Sequence, residues 1–277
     1  MNDKYFRLSD NFREIISNVI PNKKINTMTL IPTGWTNIVY EVKTDDGNYF
    51  FRFPRDEFWS RTIVKDYEFT QYIYGKTNFN TIKLELFYDN GRPFSMHKKI
   101  EGTPLAEKMN SLNDEEITNI STEIAQFMNE VHNLDYSQSK IFKTNNIGLK
   151  LNDFLDELLS FHITEKNRKF WKMTPDITDE SNCLVHGDLN SSNILLDDNN
   201  HIAAVIDFGF AGYGNKYDDI ARIIGRCPNS FREKIVNSYE ECSNINLSEQ
   251  VLNENIETWN NIDNAYIDYM RKIGIYK

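Results

Sequence analysis

The chain has 277 residues, 40% of them hydrophobic and 26% charged, an ordinary globular balance with ample apolar material for a core. Its formal net charge of −10 argues against nonspecific nucleic-acid binding, which needs a basic footprint, and is compatible with a cationic small-molecule substrate or with plain solubility. No apolar run is long enough to cross a bilayer, the first residues lack the basic and apolar regions of a signal peptide, and the three cysteines (Cys183, Cys227, Cys242) have no metal-ligand spacing. The expectation is a cytoplasmic protein, monomeric or weakly dimeric, with neither membrane nor nucleic-acid partners. Cys183, next to Leu184 and Val185, reads as a buried, inert thiol.

In chain order, Phe12, Ile15, Ile16 and Val19 have helical spacing, with Ser9 or Asp10 as the cap and Pro21 as the stop. Strand-like stretches follow over Asn26 to Ile31, Asn37 to Lys43 and Tyr49 to Phe53, the last two joined by the turn Asp45-Asp46-Gly47-Asn48. Trp59 to Tyr74 reads as a helix closed by Gly75. Two more strands, about Thr81 to Tyr88 and Pro93 to Ile100, flank Asp89-Asn90-Gly91. After Glu101-Gly102-Thr103-Pro104 the pattern turns helical: Asn113 caps a helix with Ile117, Ile120, Ile124, Phe127, Met128 and Val131 on one face, and Leu151 to Phe161 forms another. Short strands at Cys183 to Val185, Ile194 to Leu196 and Ala203 to Ile206 precede a helical remainder. That remainder ends with Leu252, Ile256, Trp259, Tyr266, Met270 and Ile273 at helical spacing. The simplest assembly is α+β: a small antiparallel-sheet lobe over residues 1–99 and a larger helical lobe over residues 100–277.

The chemistry concentrates in Leu184-Val185-His186-Gly187-Asp188-Leu189-Asn190-Ser191-Ser192-Asn193-Ile194-Leu195-Leu196-Asp197 and in Ala204-Val205-Ile206-Asp207-Phe208-Gly209. An acid and an amide sit on a polar loop between apolar strands, and a second acid leaves a strand end onto a Phe-Gly turn. Phosphoryl transfer needs one carboxylate to orient a hydroxyl and accept its proton, and hard oxygen ligands for the Mg²⁺ that neutralises the phosphates.

H-G-D-x-x-x-x-N followed by I-D-F-G resembles the paired signature of the aminoglycoside phosphotransferase and choline kinase superfamily, relatives of the protein kinases. The resemblance implies a bilobal protein-kinase-like fold, with Asp188 as catalytic base, Asn193 and Asp207 as Mg²⁺ ligands, and ATP or GTP as donor. His186 would brace the loop. Gly214-Asn215-Lys216-Tyr217-Asp218-Asp219-Ile220-Ala221 resembles the family's G-D-P-x-x-D-L-A, which makes Asp219 a buried support of the loop and Asp218 its surface neighbour, with an exchange of roles between the two adjacent acids as the alternative. Asn215 and Lys216 depart from that pattern.

Upstream, Thr33-Gly34-Trp35-Thr36-Asn37 stands where the family covers the phosphates, bringing Gly34 and Thr36 to the nucleotide. Phe50-Phe51-Arg52-Phe53-Pro54-Arg55 resembles the strand that carries the phosphate-binding lysine, with Arg52 in its place and Glu68 as its expected ion-pair partner. His97-Lys98-Lys99-Ile100 resembles the hinge, where the base would meet main-chain groups of Lys98 and Ile100. The resemblance spans about Thr33 to Ala221.

By the same resemblance the acceptor is a small-molecule hydroxyl between the catalytic loop and the C-terminal helices, and the Arg-x-Pro-Arg pattern points to an antibiotic kinase, first to an aminoglycoside-like substrate. Asp153, Asp156 and Glu157 on one helix, and Glu254, Glu257, Asp263 and Asp268 on the last, are acids that could meet its ammonium groups. Glu257 and Asp268 share a stripe with Asn261 and Asn264. The alternative is a choline, ethanolamine or sugar kinase, for which Trp259, Tyr266 and Tyr269 offer aromatic rings. A catalytically silent nucleotide-binding relative is a third reading, disfavoured by the intact Asp188, Asn193 and Asp207.

Overall fold

The computed structural model describes residues 12–32, 34–135, 151–162, 182–272 and 274. The expected cap at Ser9 or Asp10 lies outside them, as do Thr33 and Ile273.

The first helix, α1 (Phe12–Val19), drops Ile16 onto a five-stranded antiparallel sheet. The sheet comprises β1 (Ile25–Ile31), β2 (Asn37–Thr44), β3 (Asn48–Pro54), β4 (Glu85–Asp89) and β5 (Arg92–Lys98), in the order β1-β2-β3-β5-β4. Val42, Phe51, Phe53, Phe94 and Met96 form its core with Ile16 and Ile20. The β4–β5 turn at Asn90-Gly91 has φ values of 49° and 80°, the mirror-image geometry that Asn-Gly tolerates and that matches strand twist.

Helix α2 (Glu57–Ile73) connects β3 to β4. It begins two residues before Trp59, because the Asp56 carboxylate caps it by accepting from Trp59 N. The strand expected from Thr81 is shorter than its apolar pattern. Ile82 and Leu84 are buried, but Thr81 makes an isolated parallel bridge to Val205 and pairing with β5 starts only at Glu85.

Beyond Lys98, β6 (Thr103–Pro104) pairs with β8 (Ile194–Leu196), which pairs with β9 (Ile202–Val205). A second ribbon joins β7 (Asn182–Val185) to β10 (Gly212–Asn215), a strand the sequence pattern did not reveal. The described helices here are α3 (Leu105–Lys108), α4 (Asp114–His132), α5 (Leu151–His162), α6 (Lys216–Ile224), α7 (Asn229–Ser243) and α8 (Glu249–Lys272). Asn113 and Glu116 close a capping box on α4. The six apolar positions read on one face of α4 are all buried, and the largest core joins α4 to α6, α7 and the short strands.

A further apolar cluster is the one that shapes the cleft. Phe58 and Trp59 of α2 meet Phe154, Leu155 and Leu158 of α5 and Trp259, Ile262, Tyr266 and Met270 of α8. It ties the helix behind the sheet to the last helix of the chain. No described helix is long and apolar enough to cross a membrane.

Candidate active site

The loop after β7 is held from behind by one carboxylate. Asp219, 1% exposed, accepts from His186 N and Gly187 N at 2.8 Å each, one through each oxygen. His132 at the end of α4 bonds the same carboxylate at 3.2 Å, and Tyr239 of α7 meets the other ring nitrogen of His132 at 2.7 Å. Burial pushes Asp219 up, but His132 and then His186, from whose backbone N–H it accepts, outweigh that and hold it below the usual carboxylate range. Sequence reasoning missed His132 and Tyr239. His132 belongs to the last turn of α4, and nothing local marks it as facing Asp219, 87 residues on.

His186 is fully buried and spans the two motifs: Nε2 donates to Ile206 O at 3.0 Å, and Nδ1 accepts from Asp188 N at 3.3 Å. Both ring nitrogens are thereby committed to backbone groups. Asp218 is corrected from surface neighbour to buried residue, 8% exposed. It accepts from Asn215 N while the Asn215 side chain accepts from Tyr217 N, so Asn215 caps α6 despite the departure from the family pattern.

Asp188 projects into a cavity of about 470 Å³. Its Oδ1 accepts from Arg222 Nε at 2.9 Å, Arg222 Nη2 at 2.7 Å and Asn190 Nδ2 at 3.1 Å. Asn193 Nδ2 donates to the Asp188 carbonyl at 3.0 Å, which commits the amide nitrogen of Asn193 to the loop. Asp207 follows β9 at φ +67°, a left-handed conformation rare for a non-glycine residue and often found at functional turns.

Arg52 of β3 lies between two carboxylates, with Nη1 on Asp66 at 2.5 Å and Nη2 on Asp207 at 2.9 Å. The other oxygen of Asp66 accepts from Phe208 N at 3.0 Å, so one residue of α2 grips both the cation and the Asp-Phe-Gly turn. Burial raises Asp66, whereas for Asp207 the guanidinium outweighs burial and holds the carboxyl low. The ion pair expected between Arg52 and Glu68 is thus made by Asp66. Two residues along a helix point roughly 200° apart, and it is Asp66 that shares the inward face with Thr62, Phe69 and Ile73.

Gly34 and Thr36 line the same cavity. A Cβ on Gly34 would lie 2.3 Å from Asn37 O, and the Gly34 carbonyl accepts from Arg55 Nε and Nη2 at 3.1 and 2.9 Å. A second cavity of about 360 Å³ lies beside the first, sharing Val39, Arg52, Ser192 and Asp207 with it. Ile100 lines it together with His97 and Lys99, but Lys98 does not. The Lys98 carbonyl accepts instead from His97 Nδ1 at 3.0 Å, and burial pushes the His97 imidazole down to about 4.

Asn193 and Asp207 fit a magnesium ion. With the Asn193 nitrogen engaged, its amide oxygen remains as a hard donor, and the Asp207 side chain is 41% exposed toward the cavity that both residues line. Mg²⁺ takes one or two protein oxygens and completes its shell with phosphates and water. Accordingly, no cluster of three or more His, Cys, Asp or Glu suited to a metal occurs among the described residues.

The profile of the phosphotransferase enzyme family (APH) matches residues 27–244, most of the chain. The chain belongs to this family. Its fold is similar to that of an aminoglycoside phosphotransferase, APH(2″)-IIIa, solved with GDP and kanamycin, at a TM-score of 0.74 and 18% identity over 95% of this chain and 93% of that one. APH(2″)-IIa, solved with streptomycin and ATP, matches at 0.64 and 18% identity over 92% and 90%. The macrolide 2′-phosphotransferase MphH from Brachybacterium faecium matches at 0.65 and 15% identity over 95% and 92%. This phosphotransferase therefore has the kinase-like α+β fold.

Of the acids expected to meet an acceptor, Asp263 alone lines this phosphotransferase's larger cavity among the described residues. Asp153, Glu257 and Asp268 are exposed, and Asp268 pairs with Arg271 one turn on. Glu157 pairs with Arg61 on α2 at 3.0 Å. Asp263, which lies on the buried stripe of α8, lines the cavity together with Arg222, Arg226, Ile262 and Tyr266. The aromatic trio is also redistributed. Trp259 is buried with the Arg222 guanidinium 4.6 Å above its ring, Tyr269 does not line the cavity, and Tyr266 does so with Trp35 and Trp59. Cys183 stays a thiol, since burial raises its pKa well above its ordinary value.

Proposed function

We propose that the protein transfers the γ-phosphoryl group of ATP or GTP to a hydroxyl of a small molecule. The observation that carries this reading is a pair of adjoining cavities that share Asp207 and its partner Arg52, with Asp188 and Asn193 lining the larger one. Residues 1–99 act as the nucleotide lobe and residues 100–277 as the catalytic lobe. The base occupies the smaller cavity beside Ile100, and the phosphates run past Arg52 under the Gly34–Thr36 loop. Asn193 and Asp207 would hold Mg²⁺, which neutralises charge on the β- and γ-phosphates.

Asp188 orients the acceptor hydroxyl and takes its proton as the hydroxyl oxygen bonds to the γ-phosphorus. The bond from that phosphorus to the β–γ bridging oxygen breaks, and the nucleoside diphosphate leaves. Arg222 fixes Oδ1 of Asp188, and Oδ2, which accepts only a long bond from Asn193 Nδ2 at 3.4 Å, is the oxygen directed to this task. The relatives solved with GDP, ATP and aminoglycosides support a nucleotide donor and a small-molecule acceptor.

The test is diphosphate release and ³¹P transfer with Mg²⁺ and ATP or GTP over a panel of hydroxyl compounds, for wild type and Asp188→Asn. Transfer by the wild type, lost in the variant while Mg·nucleotide binding persists, is the expected result. Full activity in Asp188→Asn would remove the base assignment. Absence of both nucleotide binding and transfer would remove the function.

A further inference from the structure

Resting on the phosphotransfer reading, we infer that the acceptor presents its hydroxyl on an apolar, ring-bearing body and carries no polyammonium charge. The carboxylates lining the larger cavity are Asp188, Asp207 and Asp263, and each is already paired with arginine. Asp207 pairs with Arg52 at 2.9 Å and Asp188 with Arg222 at 2.7 Å. Asp263 pairs with Arg222 at 2.6 Å and also with Arg226. Among the described residues, three aspartates and three arginines leave this wall neutral.

An ammonium group would have to displace a guanidinium to reach any of these acids. The Arg222 side chain is only 9% exposed, and stripping one partner from a buried ion pair leaves a costly uncompensated charge. Arg226, its side chain 40% exposed, offers an approaching ammonium a like charge. The aminoglycoside-type site therefore has no anionic footing among the described residues lining this cavity.

The same wall provides apolar surface. Half-buried Trp35 stacks on buried Tyr266 with ring centroids 6.1 Å apart, half-buried Phe210 stacks on buried Trp59 at 6.2 Å, and buried Ile262 adjoins Asp263, so Trp35 and Phe210 carry most of the accessible ring surface. Flat rings edged by paired charges suit a ring-bearing body that stacks and accepts hydrogen bonds from guanidinium groups. The volume of about 470 Å³ must also admit the terminal phosphates, so the enclosed part of the acceptor is compact.

The experiment measures binding to the full chain with Mg²⁺ and a non-hydrolysable nucleotide, by calorimetry, using kanamycin and gentamicin against aryl glycosides of matched hydroxyl number. The aryl glycosides are expected to bind at least tenfold more tightly. Arg226→Glu, which frees carboxylate charge at the same place, is expected to tighten kanamycin binding at least tenfold without helping the aryl glycosides. Equal affinities, absent binding in both sets, or tighter kanamycin binding by the wild type would overturn the inference. Nucleotide binding in the same titrations separates that failure from a failure of the phosphotransfer reading, which alone predicts that Mg·nucleotide binds whichever acceptor is refused.

Discussion

The guanidinium of Arg222 forks onto a single oxygen of Asp188 while its remaining nitrogen reaches Asp263 on the last helix. The loop that carries Asp188, α6 and α8 are thereby joined by one chain of alternating charges that ends at Arg226. Arg222 is the only cation among the described residues bonded to Asp188, and its planar fork is what a lysine cannot reproduce.

Arg222→Met is expected to lower turnover about a hundredfold or more while Mg·nucleotide affinity stays within a few-fold, and Arg222→Lys is expected to recover only part of the loss. Steady-state kinetics beside nucleotide titrations check this. A variant with wild-type kcat would mean that the fork only braces α6 against α8.

The Arg52–Asp66 pair gives a second expectation. Asp66→Ala leaves a buried guanidinium with one partner fewer and frees Phe208 N, so it should cost about 3–5 kcal/mol of stability and weaken nucleotide binding. Glu68→Gln, on a half-buried flank of the same helix, should do much less to nucleotide affinity. Urea unfolding and calorimetry of the two variants decide between them. Equal effects would return the role to Glu68.

Gly187 has φ +77°, and a Cβ there would sit 2.4 Å from Phe210 O, a backbone atom that cannot swing aside. The left-handed conformation alone costs about 1–2 kcal/mol for another residue, before the clash is counted. Gly187→Ala should therefore lower the melting temperature and abolish transfer by displacing Asp188. An unchanged melting temperature with full activity would show that the loop relaxes freely.

Lys65 is 1% exposed, has no hydrogen-bond partner for Nζ among the described residues, and lies over the Phe154 ring at 4.2 Å. Burial pushes its pKa down from 10.5 to about 7. Between pH 7 and 10.5 the unfolded chain holds the proton that the folded chain has lost, so stability rises with pH across that window. Below pH 7 both states are protonated and the folded state bears the whole penalty of a buried charge. Lys65→Met should stabilise the protein by a few kcal/mol near pH 7, with the gain fading toward pH 10.5. Melting temperatures of both proteins at pH 6.5 and 9.5 provide the check; a gap independent of pH would refute the assignment.

The two motifs that draw attention to the cleft were legible in the chain. His-Gly-Asp with Asn193, and Ile-Asp-Phe-Gly, carry their own geometry, because a glycine must occupy the left-handed turn and a strand end must deliver the acid. The hairpin turns and the apolar face of α4 are equally local, since periods of two and of 3.6 are written residue by residue. The choice of Asp66 over Glu68 was partly visible as well: Asp66 keeps register with Thr62 and Phe69, and an acid on an inward face is a signal. Asp263 gives the same signal, between Trp259 and Tyr266 on the buried stripe of α8.

What the sequence could not hold is which charges meet. Asp219 with His132, Arg52 with Asp207, and Arg222 with both Asp188 and Asp263 bridge separations of 87, 155, 34 and 41 residues. Those encounters depend on how whole helices pack, and packing is set by the summed apolar contacts of Phe58, Trp59, Phe154 and Tyr266 rather than by any charged residue itself. The reaction class was thus set by local sequence. Which paired charges and rings line the larger cavity was decided only when α2, α6 and α8 closed around it.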